Sequence, residues 1–248
     1  MNPTLQFPQL GPVMPEIVMA CAALIILLLD LVMKRKETVA FLSIVATAIV
    51  TYIMFDASGV TFGGMFVSDG YSMFFKFIFL LSLILSILIS VKYIKVERVN
   101  FGEYYSLMLF ATLGMMIMAS AGDLIVLYLG LELMALSTYV LAGFIRYDKK
   151  SNEAALKYFL LGAFASAMLL FGISLTYGLT GTTNIKAVAD YIAKNGLSTN
   201  PALMFSVILF TVAFGALTGW VLPIMWIMLI LTHVTVIQRI YHVWKIMK

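Results

Sequence analysis

Seven stretches of this chain are apolar over about the length needed to cross a bilayer, and that repetition restricts the fold more than any single residue does. They lie at about 13–33, 38–55, 73–94, 104–121, 123–144 and 155–178, with a longer run from 202 to about 232. A helix needs roughly 20 apolar residues to span the hydrocarbon core, and over such lengths the helix satisfies its own backbone inside lipid. The expected fold is therefore an all-α integral membrane protein, a polytopic bundle of about seven transmembrane helices with six to eight as the range. Composition agrees: 62% of residues are hydrophobic, 11% are charged and the mean hydropathy is +1.03, far from the roughly 25% charged residues of soluble domains.

The connections hold most of the remaining polar residues. Segment 56–72, with Gly59, Gly63, Gly64 and Gly70 among Val60, Phe62, Phe66 and Val67, alternates enough to predict a short surface hairpin. Between 184 and 196, Ile185, Val188, Ala189 and Ile192 recur at helical spacing among Lys186, Asp190 and Lys194, with Gly196 closing the pattern. That spacing predicts an amphipathic helix lying at the interface.

Bases set the orientation. Lys34, Arg35, Lys36, Lys92, Lys95, Arg98, Arg146, Lys149 and Lys150 fall at loops on one side, against Lys186 and Lys194 on the other, with Lys76 just inside the third span. The positive-inside rule then puts the N-terminus outside. The run 202–232 reads as one broken helix, interrupted by Gly215, Gly219 and Pro223, or as two short spans. Charge favours the first, which leaves Arg239, Lys245 and Lys248 on the basic side and makes 233–248 an interfacial helix with His233 and His242 solvated.

Several function classes drop out. The net charge of +4 comes from short clusters between apolar runs, which orient a chain in a bilayer and do not mark a nucleic-acid partner. A single cysteine, Cys21, excludes a disulfide framework and a thiolate metal cage supplied by this chain alone. Val18-Met19-Ala20-Cys21 lacks the basic region that precedes a lipoprotein cleavage site, and Met115-Met116-Ile117-Met118 reads as adaptable core filling.

Ionisable residues inside the spans are expensive and are functional suspects by default. Glu132 stands about ten residues into the span that begins near Asp123, on a face shared with Tyr128, Ala135, Leu136 and Tyr139. It is expected to point at another helix or a watery cavity. A carboxyl at such depth is pulled two ways, desolvation favouring the protonated form and a nearby cation the ionised one, which is the tension a proton relay uses. A structural carboxyl hydrogen-bonded to a neighbouring helix or to one of those tyrosines is the alternative. Lys157, about one turn inside the sixth span, reads either as a member of the same relay or as a snorkelling lysine. Asp123 is expected to cap a helix, Asp30 to be solvated near an interface, and Glu16, after Pro15, to complement a helix N-terminus. Gly162 with Ser166, and Ala163 with Ala167, supply small residues at four-residue spacing for close helix packing.

Longer motifs carry a resemblance. Phe110-Ala111-Thr112-Leu113-Gly114-Met115-Met116, Ala119-Ser120-Ala121-Gly122-Asp123-Leu124, Leu129-Gly130-Leu131-Glu132-Leu133, Ser137-Thr138-Tyr139-Val140-Leu141 and the stretch Glu153 to Ser166 resemble subunit N of bacterial proton-translocating NADH:quinone oxidoreductase, respiratory complex I. Pro15-Glu16, Asp69-Gly70 and Phe74-Phe75-Lys76 also fit, so the resemblance runs from about residue 13 to 215.

The resemblance implies an antiporter-like subunit of a bacterial inner membrane that carries protons while other subunits oxidise NADH and reduce quinone. It places Glu132 and Lys157 in a chain of polar residues along the membrane arm, where redox events elsewhere alter their pairing. Its partners would be the other membrane-arm subunits and the lipid bilayer, with no nucleic acid. No cofactor is expected on this chain; quinone, flavin (FMN) and iron–sulfur clusters belong to the assembled complex. The same kind of glutamate and lysine serves multicomponent monovalent cation/proton antiporters, which stay open as an alternative, as does an inactive structural fragment.

The organisation expected is a three-span segment at 1–100, a first and incomplete antiporter-like repeat at 101–215, and a divergent apolar and basic tail at 216–248. The family continues into a second repeat of inverted topology, which is missing here. A gapless comparison puts Leu217 where the family has a lysine and Ile224 where it has a histidine, with Met225 and Trp226 kept. A truncated or frame-disrupted product fits that departure.

Overall fold

The structure is a computed structural model and describes residues 9–33, 36–96, 102–196 and 201–218. Eight helices appear among these residues: α1 (Met14–Val32), α2 (Lys36–Met54), α3 (Gly70–Val96), α4 (Glu103–Ala119), α5 (Leu124–Ala142), α6 (Lys149–Thr180), α7 (Ile185–Asn195) and α8 (Pro201–Thr218). Five are long and apolar enough to cross a membrane, and α4 and α8 supply shorter apolar helices. The chain is a polytopic helical membrane protein. Residues 219–248, and with them the choice between one broken span and two, lie outside the described residues.

Local chemistry sets the helix ends. Pro15 stands in the first turn of α1, where a missing amide costs nothing. Asp148 accepts from the Lys150 amide at 3.0 Å and starts α6 there. The sixth helix therefore begins near 149 and not near 155, with Lys149 and Lys150 in its first turn. Gly181, at φ 70°, closes α6 in a left-handed conformation that suits glycine. Asn184 caps α7 by accepting from Ala187 N at 3.1 Å, and Gly196 follows it as the sequence predicts.

Packing divides into two clusters. Met19, Ile26, Val39, Val50, Leu80, Ile87, Leu109 and Met116 join α1–α4, and Leu131, Leu169, Ile173 and Ala213 join α5, α6 and α8. The seam between them is α4 against α5, where a Cβ on Gly114 would lie 2.6 Å from Gly130 O. Backbones meet there because neither glycine holds them apart.

One end of the bundle is tied by loops. Strands β1 (Gly59–Thr61) and β2 (Phe66–Ser68) form the predicted hairpin, pairing Gly59 with Ser68, Val60 with Val67 and Thr61 with Phe66. Val67 N donates to Ser120 O at 2.8 Å, Gly122 N to Met65 O at 2.9 Å, Leu124 N to Thr183 O at 2.9 Å and Ile185 N to Gly122 O at 3.0 Å. The hairpin, the α4–α5 turn and the α6–α7 turn are thus laced edge to edge. Asp123 is a buried charge in this seam, 3% exposed. It caps α5 by accepting from Ile125 N at 2.8 Å and accepts the Thr183 hydroxyl at 2.6 Å. Asp123→Ala removes both bonds and is expected to lower stability by about 1–2 kcal/mol, read as a lower melting temperature in detergent. Thr183→Val, which keeps the cap, is expected to lose only part of that.

The opposite end corrects an expectation. Asp30 is not solvated but 6% exposed, because Lys36 reaches back to it at 2.6 Å and also donates to its backbone carbonyl at 3.0 Å. Gly102 lies against the same carboxylate: a Cβ there would fall 1.8 Å from Asp30 Oδ1. The short α1–α2 turn brings base to acid, and the start of α4 covers them.

Candidate proton-relay site

Glu132 lies near the middle of α5, two residues after the Gly130 contact with α4, and is half-buried. Its Oε1 is buried with no hydrogen-bond partner. On the face expected for it, Ala135 and Tyr139 are buried, whereas Leu136 is 51% exposed. The carboxyl therefore sits at the edge of the α5 packing surface, turned towards protein on the side of Tyr139.

Two further unpartnered polar atoms lie on that side. Tyr139 Oη and Ser166 Oγ are buried without hydrogen-bond partners. Gly162 leaves room for the tyrosine, since a Cβ there would sit 1.8 Å from Tyr139 Oη. The ring is held edge-on by Tyr158 and Phe159, at centroid distances of 4.8 and 5.8 Å. Because α5 and α6 run antiparallel through a short turn, Tyr139 opposite Gly162 places Ser166 at the level of Ala135, between Tyr139 and Glu132. Of the two small-residue pairs, Gly162 and Ser166 are buried, and Ala163 and Ala167 are exposed. Sequence reasoning read Ser166 as packing alone; its hydroxyl makes it a polar member of the site.

Lys157 is elsewhere. Its side chain is 75% exposed and pairs with Glu153 one turn earlier on α6. By the same register it stands near the level of Phe144, about 18 Å along the axis from Glu132 at 1.5 Å per residue. Glu132 and Lys157 are not brought together. Leu217 is one turn beyond Ala213 on α8, and Ala213 packs in the same cluster as Leu131. A surface cavity of about 490 Å³ under the hairpin, lined by Phe75, Phe79, Met115 and Met118 among others, includes neither Glu132 nor Lys157.

Sequence reasoning missed one pair of charges inside the spans. Lys76 Nζ lies 2.7 Å from Glu16 Oε1, with side chains 0% and 4% exposed. The signal was present, since Lys76 lies within an apolar segment that spans Gly70–Val91, but each residue read singly looked like an interfacial charge.

Antiparallel apolar helices, a hairpin at one end and a half-buried carboxyl beside the α4–α5 contact are the features of a membrane subunit with the antiporter-like fold. Residues 121–232 match the family described as NADH:quinone oxidoreductase/Mrp antiporter, TM. The chain is 44% identical over 199 residues to NADH-quinone oxidoreductase subunit N 2 of Rhizobium meliloti (strain 1021), covering 78% of this chain and 41% of that protein. It is 46% identical over 184 residues to NADH-quinone oxidoreductase subunit N of Desulfovibrio desulfuricans (strain ATCC 27774 / DSM 6949 / MB), covering 72% and 36%. Among solved structures, respiratory complex I from Thermus thermophilus with bound aureothin matches with a TM-score of 0.64 at 28% identity, over 81% of this chain and 43% of that one. The Mrp complex from Dietzia sp. DQ12-45-1b matches at 0.60 and 22% identity over 86% and 43%, a likeness of fold alone. Over most of its length the chain is similar to NADH-quinone oxidoreductase subunit N. It spans less than half the length of the curated relatives it matches.

Proposed function

We propose that this chain is a proton-carrying membrane subunit of an NADH:quinone oxidoreductase in a bacterial inner membrane, with its N-terminus outside, and that electron transfer takes place in other subunits. The observation that carries the reading is the half-buried Glu132, whose Oε1 is buried without a hydrogen-bond partner beside the α4–α5 contact. A carboxyl oxygen without a fixed hydrogen bond is free to take a proton from one side and pass it to another, and Ser166 and Tyr139 supply hydroxyls at successive levels towards Lys157. Lys157, paired with Glu153, would receive or repel that charge from the far end of α6. Redox-linked movement of charge in the neighbouring membrane-arm subunits would bias which group holds the proton. The FMN, iron–sulfur clusters and quinone belong to those other subunits.

Membranes carrying the chain with Glu132→Gln are expected to lose most NADH-driven acidification, followed with a pH-sensitive dye, while NADH oxidation by the peripheral arm persists. Unchanged acidification would leave Glu132 a structural carboxyl. The family is shared with Mrp antiporters, so a multicomponent cation/proton antiporter is the second reading. Co-purification with flavin- and iron–sulfur-bearing subunits supports the first, and co-purification with antiporter subunits supports the second.

A further inference from the structure

Outside that site, four buried side chains with unpartnered polar atoms gather at the hairpin end of α1, α3 and α4. Glu16 is in the first turn of α1 and Lys76 is six residues into α3, both within segments apolar enough to span. Their charges are 2.7 Å apart, yet neither the ammonium nor either carboxylate oxygen has an aligned hydrogen-bond partner. The ammonium also lies 5.1 Å from the centroid of the Phe66 ring, which caps it from the hairpin. Ser68, on the same face of β2 as Phe66, and Ser120, at the end of α4, bury hydroxyls that are likewise unpartnered.

Other charges stand away from the pair. On the helices packed against it, Lys36, Glu37, Glu103, Tyr104 and Tyr105 are at the opposite ends, and Tyr52 is 76% exposed. Asp30 is at the far end of α1, paired with Lys36, and Asp69 accepts from the Ser72 amide at 2.8 Å. Among the described ion pairs, neither Glu16 nor Lys76 has a second partner.

A polar contact kept only to hold helices together is stable when fully hydrogen-bonded, and apolar side chains of similar volume would hold α1 to α3 as well. This pair is neither saturated nor apolar. What the charges add is a place for a proton, with two buried, unpartnered hydroxyls at the same end of the bundle. We propose that Glu16 and Lys76 form a second proton-holding site, loaded from the hairpin end past Phe66, Ser68 and Ser120. In loading, hydronium gives one proton to the Glu16 carboxylate, leaving water, a neutral carboxyl and the Lys76 ammonium held over the Phe66 ring. Unloading reverses these transfers, and no other bond changes.

The test is infrared difference spectroscopy on the chain in lipid nanodiscs, taken between high and low pH. A carboxyl carbonyl band is expected that disappears in Glu16→Gln, persists in Glu132→Gln and moves in Lys76→Met. If the single variants fail to fold, the exchanged pair Glu16→Lys with Lys76→Glu keeps opposite charges in contact and is expected to retain a titrating carboxyl band. After a pH jump, Phe66→Ala is expected to load several-fold faster than the unaltered chain. A spectrum in which Glu16→Gln removes no band, or an exchanged pair with none, overturns the site, and an unchanged loading rate in Phe66→Ala overturns access from the hairpin. Because Glu132 is a control here, this site and the proposed relay can fail independently.

Discussion

Gly114→Ala is expected to destabilise the chain more than a methyl group added at any exposed glycine. The new Cβ would lie 2.6 Å from both Gly130 O and Met134 N, and 3.0 Å from Met134 Cα. Carbon atoms in ordinary contact are about 3.5–4.0 Å apart, and all three neighbours are backbone, so no rotamer change relieves the clash. Helices α4 and α5 have to separate, and overpacking of this kind costs roughly 1–3 kcal/mol. Alanine returns up to about 1 kcal/mol through its better helix propensity, which is too little to offset the larger part of that range. Gly178→Ala is the control, since nothing lies within 4 Å of its Cβ position; it is expected to melt at or above the temperature of the unaltered chain. Equal melting of Gly114→Ala and Gly178→Ala in detergent would show that the α4–α5 approach contributes nothing. Gly162→Ala belongs between the two, because the atom it meets is the end of a tyrosine side chain, which can swing away at the expense of the hydroxyl's place beside Ser166.

The helical bundle was legible because bilayer length, apolar runs and capping residues act over a few neighbouring positions. Asp123 capped the helix expected of it, Gly196 ended α7, and the glycine-rich segment after α2 folded into a hairpin. What sequence could not supply was the pairing of residues far apart in the chain. Asp30 looked solvated because nothing local announces that α4 will close over it through Gly102. Glu16 and Lys76 are separated by two complete helical passes, and only the packing of α1 and α3 against the shared neighbours α2 and α4 brings their side chains together. At the candidate relay the carboxyl was visible as a charge at depth, whereas the hydroxyls of Tyr139 and Ser166 became part of it through the register of α5 against α6. Lys157 and Glu153 stand at i,i+4 on α6, a spacing at which helical side chains meet and that the sequence itself shows, whereas the exposure of Lys157 depends on which helices cover α6.

Lys76→Met is expected to cost the most of any charge-removing change. It leaves Glu16 buried at 4% exposure with neither a cation nor an aligned hydrogen bond. Breaking one side of a buried pair typically costs 3–5 kcal/mol, whereas replacing both sides by apolar or neutral groups of similar size is often neutral or better. The two single variants need not be equal. In Glu16→Gln the ammonium keeps the face of Phe66 at 5.1 Å, and a cation over an aromatic ring is worth about 0.5–2 kcal/mol, the upper end applying when the site is dry. The abandoned carboxylate of Lys76→Met keeps only the backbone amides of the first turn of α1. The expected order of melting temperatures is therefore Lys76→Met lowest, Glu16→Gln next, and the combined Glu16→Gln with Lys76→Met closest to the unaltered chain. A double-mutant cycle on these melts measures the coupling directly. Additive single effects would mean that the 2.7 Å contact contributes no coupling, and a combined variant less stable than either single one would mean that the charges hold α1 to α3 in a way that neutral packing cannot replace.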